Sequence, residues 1–226
     1  MALSTTDLKE GGNGLPKTIS PGNYTLKVNS VHLDDFTFIA GAKHIMFNVE
    51  TEPIAGFEGF MIDKDDESKG HYAGQIGRVK ASQYAFADGK TKTGIEINRD
   101  RSIMIFLQNF CKALDINEWF LAQDNKHDTI EEFIEALNNE APFKDKYFDA
   151  CVAGKEYEGK SGYTNYDMWF PKSTKEGYAF VVKGGKVLAY NEAEHLKKLV
   201  VKEVENFGDD DITAIPTRAA SDFNLD

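Results

Sequence analysis

From Asn23 to Leu33 the chain alternates side-chain character, with Tyr24, Leu26 and Val28 on one face and Thr25, Lys27 and Asn29 on the other. That period of two is the signature of a half-buried β-strand, and it dictates a fold in which sheets carry the core. The pattern repeats at Ile45, Phe47 and Val49, and a third short strand is expected from Phe57 to Ile62 after the turn at Pro53 to Gly56. Further on, Phe148, Ala150 and Val152 alternate, as do Tyr166, Met168 and Phe170, and Pro171 ends the second of these strands. Gly184-Gly185 between Tyr178–Val182 and Lys186–Tyr190 signals a closing hairpin.

Helical spacing occupies the middle and the end. Ile103, Phe106, Leu107, Phe110 and Leu114 form one stripe, with Asp100 or Ser102 available as a cap. Asp128 with Glu131 reads as a capping box for a second helix whose stripe is Ile130, Phe133, Ile134 and Leu137. Asn191 and Glu194 open a last helix with Leu196, Leu199, Val200, Val204 and Phe207 on one face. The reading divides the chain into a leader over 1–20 and a main domain over 21–190, followed by a helix over 191–207 and an acidic tail over 208–226. Within the domain, residues 63–102 read as an insertion, because they are glycine-punctuated and lack sustained periodicity, and helices fill 103–138. The class is mainly β with inserted helices (α+β). Three strands, a helix and two more strands follow the element order of an OB-fold, a five-stranded barrel, here with a long insertion after strand three and a C-terminal hairpin and helix.

Charge is distributed unevenly. The net charge is −11, and residues 203–226 carry seven acids against Arg218 alone. From Lys69 to Arg101 the balance reverses, with seven bases against Asp88, Glu96 and Asp100. An acidic total therefore leaves room for a local basic site. Cys111 and Cys151 stand forty residues apart without a Cys-x-x-Cys, and the histidines show no ligand spacing, so no zinc site, disulfide framework or other cofactor is expected. Met1 to Gly14 lacks the features of a secretory signal, and no window reaches the roughly 18 apolar residues of a membrane span. The expectation is a cytoplasmic protein of a reducing compartment.

The stretch Pro21-Gly22-Asn23-Tyr24-Thr25-Leu26-Lys27-Val28, the later Lys155-Glu156-Tyr157-Glu158-Gly159-Lys160 and the acidic end together resemble the single-stranded DNA-binding proteins encoded by tailed bacteriophages. Gly208-Asp209-Asp210-Asp211-Ile212 resembles the acidic tip of bacterial single-stranded DNA-binding proteins. Asp222-Phe223 is similar to the acid-plus-Phe ending of T7-like phage counterparts, although Asn224, Leu225 and Asp226 follow it here. The resemblance implies an OB-fold that coats single strands in replication, recombination and repair, is not an enzyme, and recruits replication or recombination proteins through its tail at Asp209, Asp210, Asp211, Ile212, Asp222, Phe223, Leu225 and Asp226. For a phage-encoded chain the compartment would be the host cytoplasm.

Binding of unpaired strands needs cations for phosphates and flat rings for bases. Lys69, Arg78, Lys80, Lys90, Lys92, Arg99 and Arg101 interleave with Tyr72, Tyr84 and Phe86, and Lys155 and Lys160 accompany Tyr157, Tyr163 and Trp169. If Tyr166, Met168 and Phe170 face inward, Trp169 is the outward ring. Two rival readings remain. Asp63, Asp65, Asp66 and Glu67 suggest a metal-dependent nuclease or phosphoryl-transfer enzyme, although Ser68 occupies the glycine position of a calcium loop. A phage structural or interaction protein with an OB-like core is the other; the hairpin and last helix leave oligomerisation open.

Overall fold

Strand β1 (Gly22–Asp35) is long enough to serve two neighbours. Its first half, Gly22–Lys27, pairs antiparallel with β6 (Tyr147–Glu158), and from Leu26 onward it pairs with β2 (Lys43–Thr51). The register slips between Val28 and Ser30, so exposed Asn29 is an extra residue. This bulge switches the inward parity from Leu26 and Val28 to Val31, all of them buried. The computed structural model describes residues 16–55, 73–159 and 164–199. The described chain is a mixed α+β structure dominated by one strand-rich sheet, with four helices.

The expected strand at Phe57–Ile62 lies outside the described residues. The next strand of the sheet is β3 (Ile76–Lys80), antiparallel to β2 through Phe47↔Val79. It falls inside the 63–102 stretch expected to be an insertion, so residues 76–80 of that stretch belong to the main sheet. Gly77 disguised it: a Cβ there would meet Ile19 Cγ1 at 2.3 Å, so this glycine marks a close approach inside a strand rather than a loop. A two-residue ribbon, β4 (Gly89–Lys90) with β5 (Glu96–Ile97), follows.

The hydrogen-bonded path runs from β1 through β2, β3 and β7 (Thr164–Trp169) to β6, and β6 returns to β1. Along this circuit only β3 and β7 are parallel, with Val79↔Met168 as partners. Two short strands add to β6: β8 (Phe180–Val182), antiparallel, and β9 (Leu196–Lys197), parallel. The Gly184 turn forms, with φ +84° and Gly185 N–H donating to Val182 O at 2.9 Å. Its first arm nevertheless pairs with β6, and Lys186–Tyr190 forms no strand.

Helix α1 (Arg99–Ala113) packs on the sheet and is capped by Asn98, whose side chain accepts from Arg101 N–H; neither Asp100 nor Ser102 caps it. A short α2 (Asn117–Ala122), unexpected from periodicity, leads to α3 (Ile130–Glu140). Ile130, Phe133, Ile134 and Leu137 are buried as the stripe implied, but the cap is Thr129, accepting from Glu132 N–H, one residue beyond Asp128. The expected last helix is a single turn, α4 (Glu192–His195), after which Leu196–Lys197 turns into strand. The competing interaction is visible in the register: β1 begins opposite Val152, leaving the β6 backbone at Gly154 and Lys155 open to β9. Val200, Val204 and Phe207 lie outside the described residues.

An aromatic cluster fills the centre: Phe110 of α1 meets Phe47, Phe148 and Phe180 at ring distances of 4.4, 5.3 and 5.5 Å. Both cysteines lie in the interior, and burial pushes their thiols up, to about 12 for Cys111 and about 11 for Cys151. At about pH 8 the thiolate, the only reactive form, is then a minute fraction. Iodoacetamide is expected to leave both thiols unmodified in the native chain and to label both in denaturant; rapid native labelling, read by mass spectrometry, would contradict this burial.

Candidate nucleic-acid interface

Residues opposite one another in a ladder share a face of the sheet, so register alone collects one surface. Asn48 pairs with Arg78, Met46 with Lys80, Lys80 with Trp169, and Lys155 with Asp167. Tyr157 lies two residues beyond Lys155 and shares its side. Arg78, Lys80, Lys155, Tyr157 and Trp169, scattered over 92 positions, thus occupy the face of the sheet turned away from Ile45, Phe47 and Val79.

Two cations on this face already have partners. Arg78 Nη2 lies 2.6 Å from Asp34 Oδ2, and Lys80 Nζ lies 2.8 Å from Asp167. Both pairs are partly solvated, so each contributes little to stability and opens at small cost to an incoming anion. His44, opposite Asp34 in the ladder, is held below the usual histidine range by burial and then by the nearby Lys80 charge. Lys155 is exposed, without an ion-pair partner among the described residues. Tyr157 is 47% exposed.

Trp169 faces this side but is not an outward ring. Only 7% of it is exposed, and Lys197 Nζ from β9 lies 5.8 Å from its ring centroid. The strand that replaced the expected helix brings Lys197 over it, so the indole is a buried base for a lysine rather than a stacking platform.

A second group gathers beside the loop 36–42 joining β1 to β2. Tyr84 is 69% exposed. Phe86 is not free to stack: its backbone N–H and C=O both bond to Lys43, and its half-buried ring packs at 6.1 Å from Phe106. Lys90 and Lys92 project from the β4–β5 ribbon, Lys90 within 3.6 Å of Glu96. Arg99 serves as a clamp, donating to Asp100 at 2.6 Å and to Gly41 O at 2.7 Å, and the Asp100 hydrogen bond raises its pKa. Arg101 is exposed in the first turn of α1.

Sequence reasoning passed over Phe38, which is 86% exposed at the tip of that loop, beside Ile39 at 51%. The Arg99–Gly41 and Lys43–Phe86 bonds tie this loop to the segment carrying Tyr84 and the ribbon. The signal was available: two large apolar residues, Phe38 and Ile39, sit in a turn next to Gly41, where burial is least expected. Ile95 and Ile97 of the ribbon are exposed as well.

Lys69, Tyr72, Lys160, Tyr163 and the tail residues Asp209, Asp210, Asp211, Ile212, Asp222, Phe223, Leu225 and Asp226 lie outside the described residues, as does the run Asp63, Asp65, Asp66 and Glu67. Among the described residues no three His, Cys, Asp or Glu side chains come together in a way that could hold a metal ion. No described helix is long and apolar enough to cross a membrane. No family model, curated protein or solved structure matches the chain.

Proposed function

We propose that the chain is a sequence-independent single-stranded DNA-binding protein of a phage replication or recombination system, built on an OB-fold. The strand circuit supports the fold: five strands in the order β1-β2-β3-β7-β6 with β6 returning to β1, and the helices between the third and fourth. In OB-folds the face of strands two and three and the loops joining strands one to two and four to five hold oligonucleotides. The corresponding elements here are the β2–β3 face, the 36–42 loop and the β6–β7 connection. The observation that carries the reading is the gathering of Arg78, Lys80, Lys155 and Tyr157 on that one face, with Phe38 and Tyr84 exposed on neighbouring segments.

Phosphates displace Asp34 and Asp167 from Arg78 and Lys80, and unpaired bases stack on the exposed rings, each stack contributing about 1–3 kcal/mol. The acidic tail competes for the same cations in cis and, once displaced, recruits replication or recombination proteins. Labelled oligo-dT titrated between about 50 and 200 mM salt tests the reading: engagement of three cations gives a log–log slope of about −2. The same titration on a chain lacking residues 207–226 is expected to show tighter binding, most at low salt. Absence of salt-dependent binding would sink the proposal. Metal-dependent shortening of the oligomer would favour a nuclease, and the exposed Ile95 and Ile97 favour a protein-interaction role if neither is seen.

A further inference from the structure

A groove of about 650 Å³ opens between α1 and β8; of the residues named as DNA contacts only Phe86 is among its described lining. Its floor is aromatic: Phe86, Phe106 and Phe180 are each only half-buried, with Phe106 to Phe180 centroids 5.4 Å apart. Three neighbouring Phe rings left partly wet, with Tyr178 at 59% exposure on the rim, make a surface that gains from being covered. One wall is β8, the last strand on its path, which among the described residues forms a ladder with β6 alone. An extended peptide can add to such an edge while its alternate side chains enter the groove.

Charge narrows the occupant. The protein carries −11 overall, yet among the described residues the groove is lined by Lys112 and Lys172 and by no carboxylate. Both lysines are exposed and have no ion-pair partner among the described residues. An apolar trough with a cationic rim fits an acidic peptide studded with large apolar side chains. The chain contains such a segment: 207–226 interleaves Phe207, Ile212, Ile215, Phe223 and Leu225 with five acids and one arginine. Twenty-seven residues follow Leu199, and at about 3.3–3.6 Å each they span any distance across a domain of this size.

We infer that the groove between α1 and β8 is the docking site for the chain's own C-terminal segment, with Phe223 or Leu225 seated among Phe86, Phe106 and Phe180 and the acids facing Lys112 and Lys172. The inference does not require the sheet face to bind DNA. It adds to the competition for the sheet cations a second seat, for the Phe223–Leu225 end of the tail, and release from that seat exposes the same peptide to other proteins.

Photocrosslinking of the full chain tests it, with Tyr178 replaced by benzoylphenylalanine and the adducts mapped by mass spectrometry in the absence of DNA. The expected adducts join position 178 to residues 207–226 of the same molecule. Their yield is expected to fall about tenfold in Lys112→Glu/Lys172→Glu, because attraction at the rim becomes repulsion. Phe223→Ser/Leu225→Ser should lower it as well. All four positions are exposed or terminal, and unchanged circular dichroism verifies folding. Adducts solely to other regions, adducts joining heavy- and light-isotope chains in a mixture, or no adducts at all would each overturn the inference. Added oligo-dT that crosslinks at position 178 itself would show a nucleic-acid groove and overturn it too; loss of DNA binding with the tail adducts intact would instead remove only the reading of the sheet face.

Discussion

Phe110→Ala is expected to destabilise the fold by about 3–5 kcal/mol, the usual cost of truncating a fully buried Phe. The residue is 1% exposed and joins α1 to three parts of the sheet, touching Phe47 of β2, Phe148 of β6 and Phe180 of β8. Alanine removes the apolar burial and leaves a void among rings that cannot close in, because each is held by its own strand. For a chain of this length that loss lowers the melting midpoint by roughly 6–20 °C. Urea titration measures it directly. Ile105→Ala is the control on the same helix: Ile105 is 53% exposed and should move stability by no more than about 0.5 kcal/mol. Equal effects from the two variants would mean that α1 does not present this face to the sheet.

Phe38→Ala/Tyr84→Ala is expected to weaken oligo-dT binding by roughly 1.5 to 4 orders of magnitude, if each ring carries a base stack worth about 1–3 kcal/mol. Both rings are largely exposed, at 86% and 69%, so the fold should be unaffected. The salt slope discriminates the two kinds of contact. Losing rings leaves the number of released counterions unchanged, whereas Arg78→Ala/Lys155→Ala should flatten the slope by about 1.4, or 0.7 for each lost phosphate contact. Unaltered affinity in the ring variant would dismiss the loop 36–42 as a base platform. An unaltered slope in the cation variant would dismiss the sheet face.

Elements with strong internal periodicity were legible in the sequence. β1, β2, α1, α3, β6 and β7 all carry stripes that hold regardless of what they pack against. Elements whose identity depends on a neighbour were not. β3 buries only Val79 and contains Gly77, so nothing local distinguishes it from a loop until Ile19 and Met168 are in place. Leu196 and Leu199 have helical spacing, but an open ladder position on β6 draws Leu196–Lys197 into strand. The site shows the same division. Alternation put Asp167 and Trp169 on one side of β7, and Asp167 indeed reaches Lys80; only the arrival of β9 buries the indole. Phe38 escaped notice because a turn has no period to violate.

The two-partner strand also sets a timetable. Gly22 lies opposite Val152, about 130 residues later in the chain, so the first residues of β1, Gly22 to Tyr24, have no ladder partner among the described residues until β6 has been synthesised. At the usual 5–20 residues per second, a ribosome leaves Gly22 to Tyr24 waiting for roughly 6–26 seconds. During that wait the nascent chain exposes an unsatisfied strand edge, which makes early β1 the point where a translating molecule is most open to chaperones and to mispairing with its neighbours.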